Sequence, residues 1–508
     1  MKKIMRLYNS YKTSIRVTFF GLVLITIGFL IKNENVNLFY TFRSPYVLFA
    51  GEFLYNIGKL VFMNLPLIFL LNGVCKKANN ASVVITALVG YFTFAVTTML
   101  FATQTLGAQA YSNGLGINSV FNFENGTLLP LETGLIGSMC VAFLTRISFI
   151  YSRHRGNYSI FNLLSKETTG LIMNIILCFL LGIAVSYLFP IGYGFLDKAI
   201  SFISSDLIDP YRIGLYASLD RLLSDFGLSN IIRYPFWYTS LGGSYSNPTT
   251  GAMIMGDVNI WNAIKNTIIT YDGAGRFITY YYIINMFMVP AIYFGTWLSL
   301  TDKNDKRSLI LLFSAGSLLS FVAGNPLPLE YLLMFTTPFL YAFYIIMVGV
   351  VAGSLIYFKA YLGFSPIDIN IPASMPGSFP DFVINLRNAS LSHSLATIVY
   401  VGIAAFAVCA IVTVIYYRGL SYDFTNTGKL KTTALTVIDA LGGKENIQTA
   451  GSGLFKLNVY LNDPEKISIE KVRTLGPDKI VETKRGISLE YGSSSTRIAA
   501  EIRKQIKV

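Results

Sequence analysis

Apolar stretches near or above the ~20 residues that a helix needs to cross a bilayer recur along this chain, and they constrain its fold more than any other feature. They cover approximately 17–31, 46–74, 81–102, 132–151, 168–190, 279–300, 308–323, 331–358 and 394–417. Of the 508 residues, 53% are hydrophobic and only 13% charged, and the mean hydropathy is +0.53. A water-solvated surface cannot be made from that balance, so the bilayer is the expected solvent. The 14% aromatic content suits lipid-facing and interfacial positions. The formal charge of +13 suits loops held against anionic lipid and is no argument for nucleic acid.

Basic clusters separate the apolar stretches at Lys2-Lys3, Lys76-Lys77, Arg153-His154-Arg155 and 303–307. Placed on the cytoplasmic side, they make the intervening segments alternate in direction, and 191–278 must then supply one more crossing or a re-entrant piece. Residues 1–16 are basic and precede an apolar run with no small-residue cleavage site after it, so that run is expected as a retained first span rather than a signal peptide. Amphipathic stretches at 192–208 and 214–228 are written like half-buried helices or re-entrant hairpins lining a cavity. Polar loops are expected at 103–131 and 359–393. Cys75, Cys140, Cys178 and Cys409 lie in apolar surroundings with no ligand or disulfide spacing, so they read as small core residues, and no metal or cofactor is implied.

After Tyr416-Tyr417-Arg418 the composition changes abruptly to soluble patterning. The expected organisation is a membrane domain over 1–420, a linker over 421–431 and a second domain over 432–508. In the latter, 433–441 reads as a helix stopped by Gly442-Gly443, 454–461 as a half-buried strand, 468–475 as a helix, 480–482 and 487–491 as a hairpin about Lys484-Arg485-Gly486, and 495–506 as a closing helix. The expected fold is a polytopic α-helical membrane protein, with about ten transmembrane helices, re-entrant hairpins and both termini inside, joined to a small C-terminal α/β sandwich.

Charged and polar residues within such a chain are candidate functional groups. Arg221 reads as a cavity-lining contact to substrate or phosphate, or as the partner of Asp220 or Asp225 at the membrane edge. Glu330 follows the Pro-broken run Asn325-Pro326-Leu327-Pro328, where irregular backbone is tolerated only against protein or a wet cavity. It is expected to contact substrate, a hydrogen bond to a loop being the alternative. Asn64 precedes Pro66 inside a span and suits satisfaction of freed backbone groups, with substrate binding second. Tyr280-Tyr281-Tyr282 can stack on a ring, but at a span boundary it is expected as an interfacial belt. His154 reads as solvated and His393 as interfacial.

Several local motifs occur in a specific order. These are Phe62-Met63-Asn64-Leu65-Pro66-Leu67-Ile68-Phe69, Ala87-Leu88-Val89-Gly90-Tyr91, Thr133-Gly134-Leu135-Ile136-Gly137 and Arg221-Leu222-Leu223 with Phe226-Gly227-Leu228. They continue with Pro235-Phe236-Trp237, Gly275-Arg276-Phe277, Pro290-Ala291, Pro326-Leu327-Pro328-Leu329-Glu330-Tyr331, Met334-Phe335 and Pro338, and end with Gly442-Gly443-Lys444-Glu445-Asn446-Ile447. In this order the chain resembles the glucose-superfamily permease of the sugar phosphotransferase system, an Enzyme IIC membrane subunit followed by an Enzyme IIB domain. The resemblance covers most of the chain. It implies a homodimeric, multi-pass carrier in the bacterial cytoplasmic membrane that binds a sugar, moves it in an elevator-like motion, and works with the soluble phosphotransferase proteins.

The resemblance also identifies what this chain has replaced. The family's two histidines in G-L-H-H fall on Ser229 and Asn230, and the first glutamate of its T-E-P-I-E-F on Leu327, while the second is retained as Glu330. Ser229 and Asn230 can hydrogen-bond a hydroxyl but do not titrate near neutrality; leucine does neither. The family phosphocysteine falls on Gly453, Lys456 replaces one of the arginines near it, and Asn458 removes the other. Residues 432–508 contain no Cys and no His, and Ser452 is a poor substitute because its alkoxide is scarcely populated. No catalytic residue is therefore assigned; substrate binding is assigned to Arg221, Ser229, Asn230, Glu330 and Asn64. Three readings stay open: a sugar carrier that does not phosphorylate through its own residues, a conventional phosphotransferase with substitute residues, and a membrane sensor that binds without transport.

Overall fold

The computed structural model describes residues 2–32, 44–75, 81–103, 105–111, 122–123, 126–154, 166–248, 251–264, 273–300, 303–364, 376–386, 388–418, 427–453, 456–477, 479–483, 485–491 and 495–506. Lys76, Lys77, Arg155, Leu454, Phe455 and Lys484 lie outside them, as do the side chains of Lys2, Lys3, Arg153, His154 and Lys303. The chain is mostly helical and divides into two compact units, Ser10–Tyr282 with Ile345–Ile398, and Ile283–Tyr344 with Val399–Val508 and Met1–Asn9. Among the described residues, eight helices are long and apolar enough to cross a bilayer, and three shorter apolar helices accompany them. That is compatible with a membrane protein.

The first unit begins with α1 (Lys2–Lys32, from Ser10 onward), α2 (Pro45–Met63) and α3 (Leu65–Cys75). The single span expected over 46–74 is two helices because Pro66 has no N–H to offer the Phe62 carbonyl. The Asn64 backbone N–H turns to the carbonyls of Leu60 and Phe62, and its Nδ2 donates to Leu60 at 2.9 Å. α4 (Ala81–Phe101), α5 (Gly134–His154) and α6 (Lys166–Ser204) surround a core of Leu70, Val83, Phe94, Val141, Phe149 and Cys178. Asn174 of α6 donates to the Thr86 carbonyl of α4 at 2.9 Å, a polar tie inside this apolar core. β1 (Asn122–Phe123) and β2 (Gly126–Thr127) pair in the loop before α5.

α6 is longer than its apolar run: 39 residues, about 58 Å at 1.5 Å per residue, continuing through Pro190. The amphipathic stretch expected to begin at residue 192 is thus its second half. α7 (Pro210–Asp225), α8 (Asn230–Tyr238), the antiparallel pair β3 (Ser244–Ser246) and β4 (Met253–Met255), and α9 (Asp257–Ile264) make up the rest of 191–278 as short helices and turns, none of them among the eight candidate spans.

α10 (Tyr280–Ile283) passes through a π-turn, Ile284–Met288, into α11 (Val289–Ser299). In the second unit, α12 (Lys303–Ala323) stops at Gly324, whose φ is +65°; α13 (Leu327–Thr336) restarts directly after Pro326, and α14 (Pro338–Tyr357), which belongs to this unit up to Tyr344, follows. The span expected over 331–358 is therefore broken at Thr337. α15 (Phe379–Asn385) and α16 (Ser392–Arg418) complete the apolar part of the chain.

α17 (Thr427–Ala440) opens the C-terminal part, so the helix begins inside the segment expected as a linker. Gly442 and Gly443, at φ +91° and +90°, end it, conformations that glycine adopts without a Cβ clash. β5 (Ile447–Ser452), β6 (Lys456–Leu461), α18 (Ile469–Thr474), β7 (Lys479–Thr483), β8 (Gly486–Glu490) and α19 (Ser495–Ile506) follow. The sheet is antiparallel in the order β5-β6-β8-β7. Leu457, Val459 and Leu461 alternate with half-buried Asn458 and Tyr460, as a sheet covered on one face requires. They share a core with Val437 and Ile438 of α17 and Ile498 and Ile502 of α19.

Leu457 has no exposed surface. Leu457→Ala is expected to destabilise this sheet by about 2–5 kcal/mol, measured as faster hydrogen exchange of the β5, β6 and β8 amides in the full-length protein, with α1–α6 exchange unchanged.

Candidate functional site

The clearest polar constellation lies in the first unit and is assembled by a turn. Asp257, at the start of α9, accepts hydrogen bonds from the Gly275 N–H at 2.7 Å and the Phe277 N–H at 3.1 Å. Gly275 sits at φ +93°, and a Cβ there would run into the Leu362-Gly363 backbone. Arg276 closes the turn by donating from Nε to the Gly273 carbonyl at 2.7 Å and from Nη1 to the Leu207 carbonyl at 2.9 Å. Thr279 accepts from the Leu362 N–H at 2.9 Å, and the Tyr282 hydroxyl donates to the Gly363 carbonyl at 2.7 Å. These bonds fix where the next helix starts, and so where Tyr280 and Tyr281 point.

Both hydroxyls reach Asp220 on α7. Tyr280 donates to Oδ2 at 2.8 Å, Tyr281 donates to the same oxygen at closer range, and the two rings stack with centroids 4.6 Å apart. Arg233 on α8 donates from Nε to Asp220 Oδ1 at 2.5 Å and from Nη2 to Oδ2 at 3.4 Å. The carboxylate thus accepts four hydrogen bonds, two of them from a guanidinium, three on Oδ2 and one on Oδ1. Burial pushes the Asp220 carboxyl up, and the Arg233 and Arg221 guanidiniums more than offset it, so Asp220 stands below the ordinary carboxylate value and stays ionised. The guanidiniums of Arg221 and Arg233 lie 5.5 and 5.6 Å from the Tyr281 ring centroid, a cation–π arrangement in a desolvated setting. Tyr216, Phe236 and Phe277 pack edge-on and tilted beneath, with centroids 4.7–5.1 Å apart.

The turn between α7 and α8 joins this cluster to α5. The Phe226 carbonyl accepts from the Leu135 N–H at 2.8 Å, and a Cβ on Gly134 would strike that carbonyl. The α7–α8 turn and the start of α5 are thereby held in contact.

The residues assigned from sequence are distributed unevenly. Arg221 is 2% exposed and belongs to the cluster, although the close ion pair of its neighbour Asp220 goes to Arg233. Ser229 is buried just ahead of α8, and its carbonyl accepts from the Arg233 N–H at 2.9 Å; Asn230, one residue on, is exposed. Asn64 bonds its own helix, the backbone role weighed first for it. Glu330 and Leu327 belong to the other unit. Glu330 has no exposed surface and accepts from the Tyr344 hydroxyl at 2.6 Å, while Leu327 starts α13 with its N–H on Asn325 Oδ1 at 3.1 Å. Gly453 ends β5 and donates to the Lys456 carbonyl at 2.8 Å; Ser452 is buried, and Asn458 accepts from the Ser488 hydroxyl at 2.7 Å. His393 is exposed, its Nε2 2.9 Å from the Phe358 carbonyl.

The expectation of a tyrosine belt is overturned. Tyr280, Tyr281 and Tyr282 are at most 1% exposed, because each hydroxyl has a buried acceptor instead of interfacial water. The Asp220–Arg233 pair was missed in sequence because the two residues lie on different helices, where no periodicity links them. The available signal was the presence of both charges amid apolar residues, since a buried charge requires a partner. Among the described residues no group of three or more His, Cys, Asp or Glu is placed to hold a metal ion. No family model matches this chain.

Arg233→Ala leaves the Asp220 charge buried without its main partner and is expected to cost about 3–5 kcal/mol. Tyr281→Phe, which removes one hydrogen bond to a charged acceptor, should cost about 1.5–3 kcal/mol. Unfolding of the detergent-solubilised protein measures both, and Asp220→Asn combined with Arg233→Gln should cost less than Arg233→Ala alone.

Proposed function

We propose that this chain is a multi-pass carrier of the cytoplasmic membrane that moves a sugar, organised like the phosphotransferase-system permease but not phosphorylating the sugar through its own residues. The observation that carries the reading is convergence. Arg221, the 226–228 turn, Pro235-Phe236-Trp237, Gly275-Arg276-Phe277 and the 133–137 segment, separate motifs in sequence, meet around one buried polar cluster. Side chains that share a site are brought together this way, whereas motifs that reflect apolar composition alone would scatter over lipid-facing surfaces. The broken helices at Asn64 and at 324–326 add to it, since interrupted helices supply polar groups at the depth where a solute must be held.

In this reading Arg221, Ser229, Asn230 and Glu330 are each residues that would meet a sugar hydroxyl, the first three in one unit and Glu330 in the other. Asn64 serves the backbone first. Phosphoryl transfer is not supported by the residues: the position of the family's thiol is a glycine in a tight hairpin, and 432–508 has neither cysteine nor histidine. The homodimer, the cytoplasmic termini and the contact with soluble phosphotransferase proteins belong to the same proposal.

The test is uptake of a panel of labelled sugars into proteoliposomes, with and without the soluble phosphotransferase proteins and phosphoenolpyruvate. Uptake of free sugar at the same rate in both conditions is the expected outcome. Sugar phosphate recovered inside, dependent on phosphoenolpyruvate, would make the protein a phosphotransferase; binding without uptake would make it a sensor. Gly453→Cys, Leu327→Glu and Ser229→His are each expected to leave phosphorylation absent, because donor and acceptor positions are both replaced, and a gain from one alone would count against the reading.

A further inference from the structure

A long apolar groove lies among α11, α12 and α16. Its cavity measures about 630 Å³, within the ~300–1,000 Å³ of ordinary ligand sites. The walls are largely aromatic: Tyr293, Phe294 and Trp297 of α11, Phe313 and Phe321 of α12, and Phe406 of α16. Tyr293 lies tilted on Phe313 with ring centroids 5.6 Å apart, and Phe294 on Phe406 at 6.0 Å. Among the described residues no charged side chain lines the groove, and its polar side-chain atoms are the hydroxyls of Ser314, Ser317 and Tyr293 and the indole N–H of Trp297. At ~30 Å³ per water that volume corresponds to about twenty waters, each needing two to four polar partners, so an apolar occupant fills it more favourably.

The groove has the length of one leaflet. Its lining runs from Met286 to Trp297 along one helix and from Ile310 to Phe321 along the next, about 16 Å in each case. Half of a ~30 Å hydrocarbon layer is ~15 Å. α11 and α16 each belong to a candidate span, and Phe294, Ile310 and Leu318 on the rim are exposed, so in a bilayer the opening meets acyl chains. Beside the Trp297 end, α16 terminates in the exposed Arg418, whose Nη2 donates to the Leu298 carbonyl at 2.8 Å. A guanidinium has five N–H donors, so this bond leaves donors for a phosphate. The neighbouring segment 301–307 contains Lys303, Lys306 and Arg307 against Asp302 and Asp305.

We infer that this groove holds one acyl chain of an anionic phospholipid from the leaflet at the Arg418 end, with the phosphate on Arg418 and the chain running past Trp297 toward Met286. The inference rests on the membrane reading but not on sugar transport. Three features select the occupant: an uncharged aromatic wall, the length of one leaflet, and a cation where the headgroup of that chain falls. A sugar, with a hydroxyl on nearly every carbon, would leave most of them without partners here.

Detergent-solubilised full-length protein is titrated with phosphatidylglycerol brominated in its acyl chains, and tryptophan fluorescence is followed. Trp297 lines the groove, whereas Trp237 and Trp261 are buried in the other unit. Quenching should saturate at a single lipid per chain, be stronger with bromines near the glycerol than near the methyl end, and disappear in Trp297→Phe. Ser314→Phe combined with Ser317→Phe fills the groove and should weaken binding by roughly tenfold or more, the equivalent of about two methylenes kept out. Arg418→Gln should weaken it by up to roughly fivefold. Leu311→Phe, on the same helix but outside the lining, should leave it unchanged and controls for bulk added to an exposed face. Quenching that never saturates, survives in Trp297→Phe, is unmoved by the Ser and Arg variants or falls equally in Leu311→Phe overturns the inference. So does recovery of fluorescence by a sugar but not by unbrominated lipid. Flotation of the wild type with phosphatidylcholine vesicles tests membrane insertion separately, and failure there would sink the membrane reading itself.

Discussion

Asp220 carries its charge with no exposed surface, and every group that hydrogen-bonds that carboxylate comes from another helix. Arg233 arrives from α8, the Tyr280 and Tyr281 hydroxyls from α10, and Arg221 from the next position on α7. Removing a carboxylate from water costs several kcal/mol unless its lone pairs are filled in good geometry, so these elements are held to one arrangement. The turn at 273–279, fastened by Asp257 and Arg276, exists to meet that requirement: a shift of the helix start by one residue would swing the tyrosine rings by about 100° and leave the carboxylate short of donors.

The same accounting explains the broken helices. A proline inside an apolar segment frees a carbonyl that has no water to turn to. At Pro66 the Asn64 amide and backbone N–H take the freed acceptors of α2. Near Pro326 and Pro328 the Asn325 side chain takes the first N–H of α13, and Tyr344 satisfies Glu330 one turn further. Both of these breaks therefore have a named polar compensation. In the proposed carrier, a solute would have to exchange with groups already satisfied by the protein, which favours a polyhydroxylated ligand able to replace hydrogen bonds one for one.

The C-terminal sheet was legible in three of its four strands, β5 (Ile447–Ser452) having gone unread. Its alternation at 456–461, the paired glycines after α17 and the hairpin between β7 and β8 appear where the residue pattern places them, because a half-covered sheet encodes its own faces in a period of two. The apolar helices were legible in approximate position, but not in number, since eight candidate spans occur among the described residues where about ten were expected, and not in their interruptions. Asn64 and Thr337 divide runs whose hydropathy is continuous, and α6 extends past its apolar run through Pro190, since hydropathy reports the environment of a segment and not the continuity of its hydrogen bonds. The candidate site was legible only in part: Arg221 stood out as a charge, while Tyr280 and Tyr281 looked interfacial because their hydroxyl acceptor lies on another helix.

By itself the sequence determined that the chain forms long apolar helices and a small C-terminal region with β-strands, because burial against lipid or a core follows from local side-chain periodicity. It also determined that Gly453, Leu327 and Ser229 cannot do the chemistry of a thiol, a carboxylate and an imidazole, because that is a property of the residue type. Only the tertiary structure decided which charges meet. Asp220 sits beside Arg221 in sequence yet forms its close ion pair with Arg233, because the reach and direction of a guanidinium from a neighbouring helix, not adjacency along one, set the geometry of a buried ion pair.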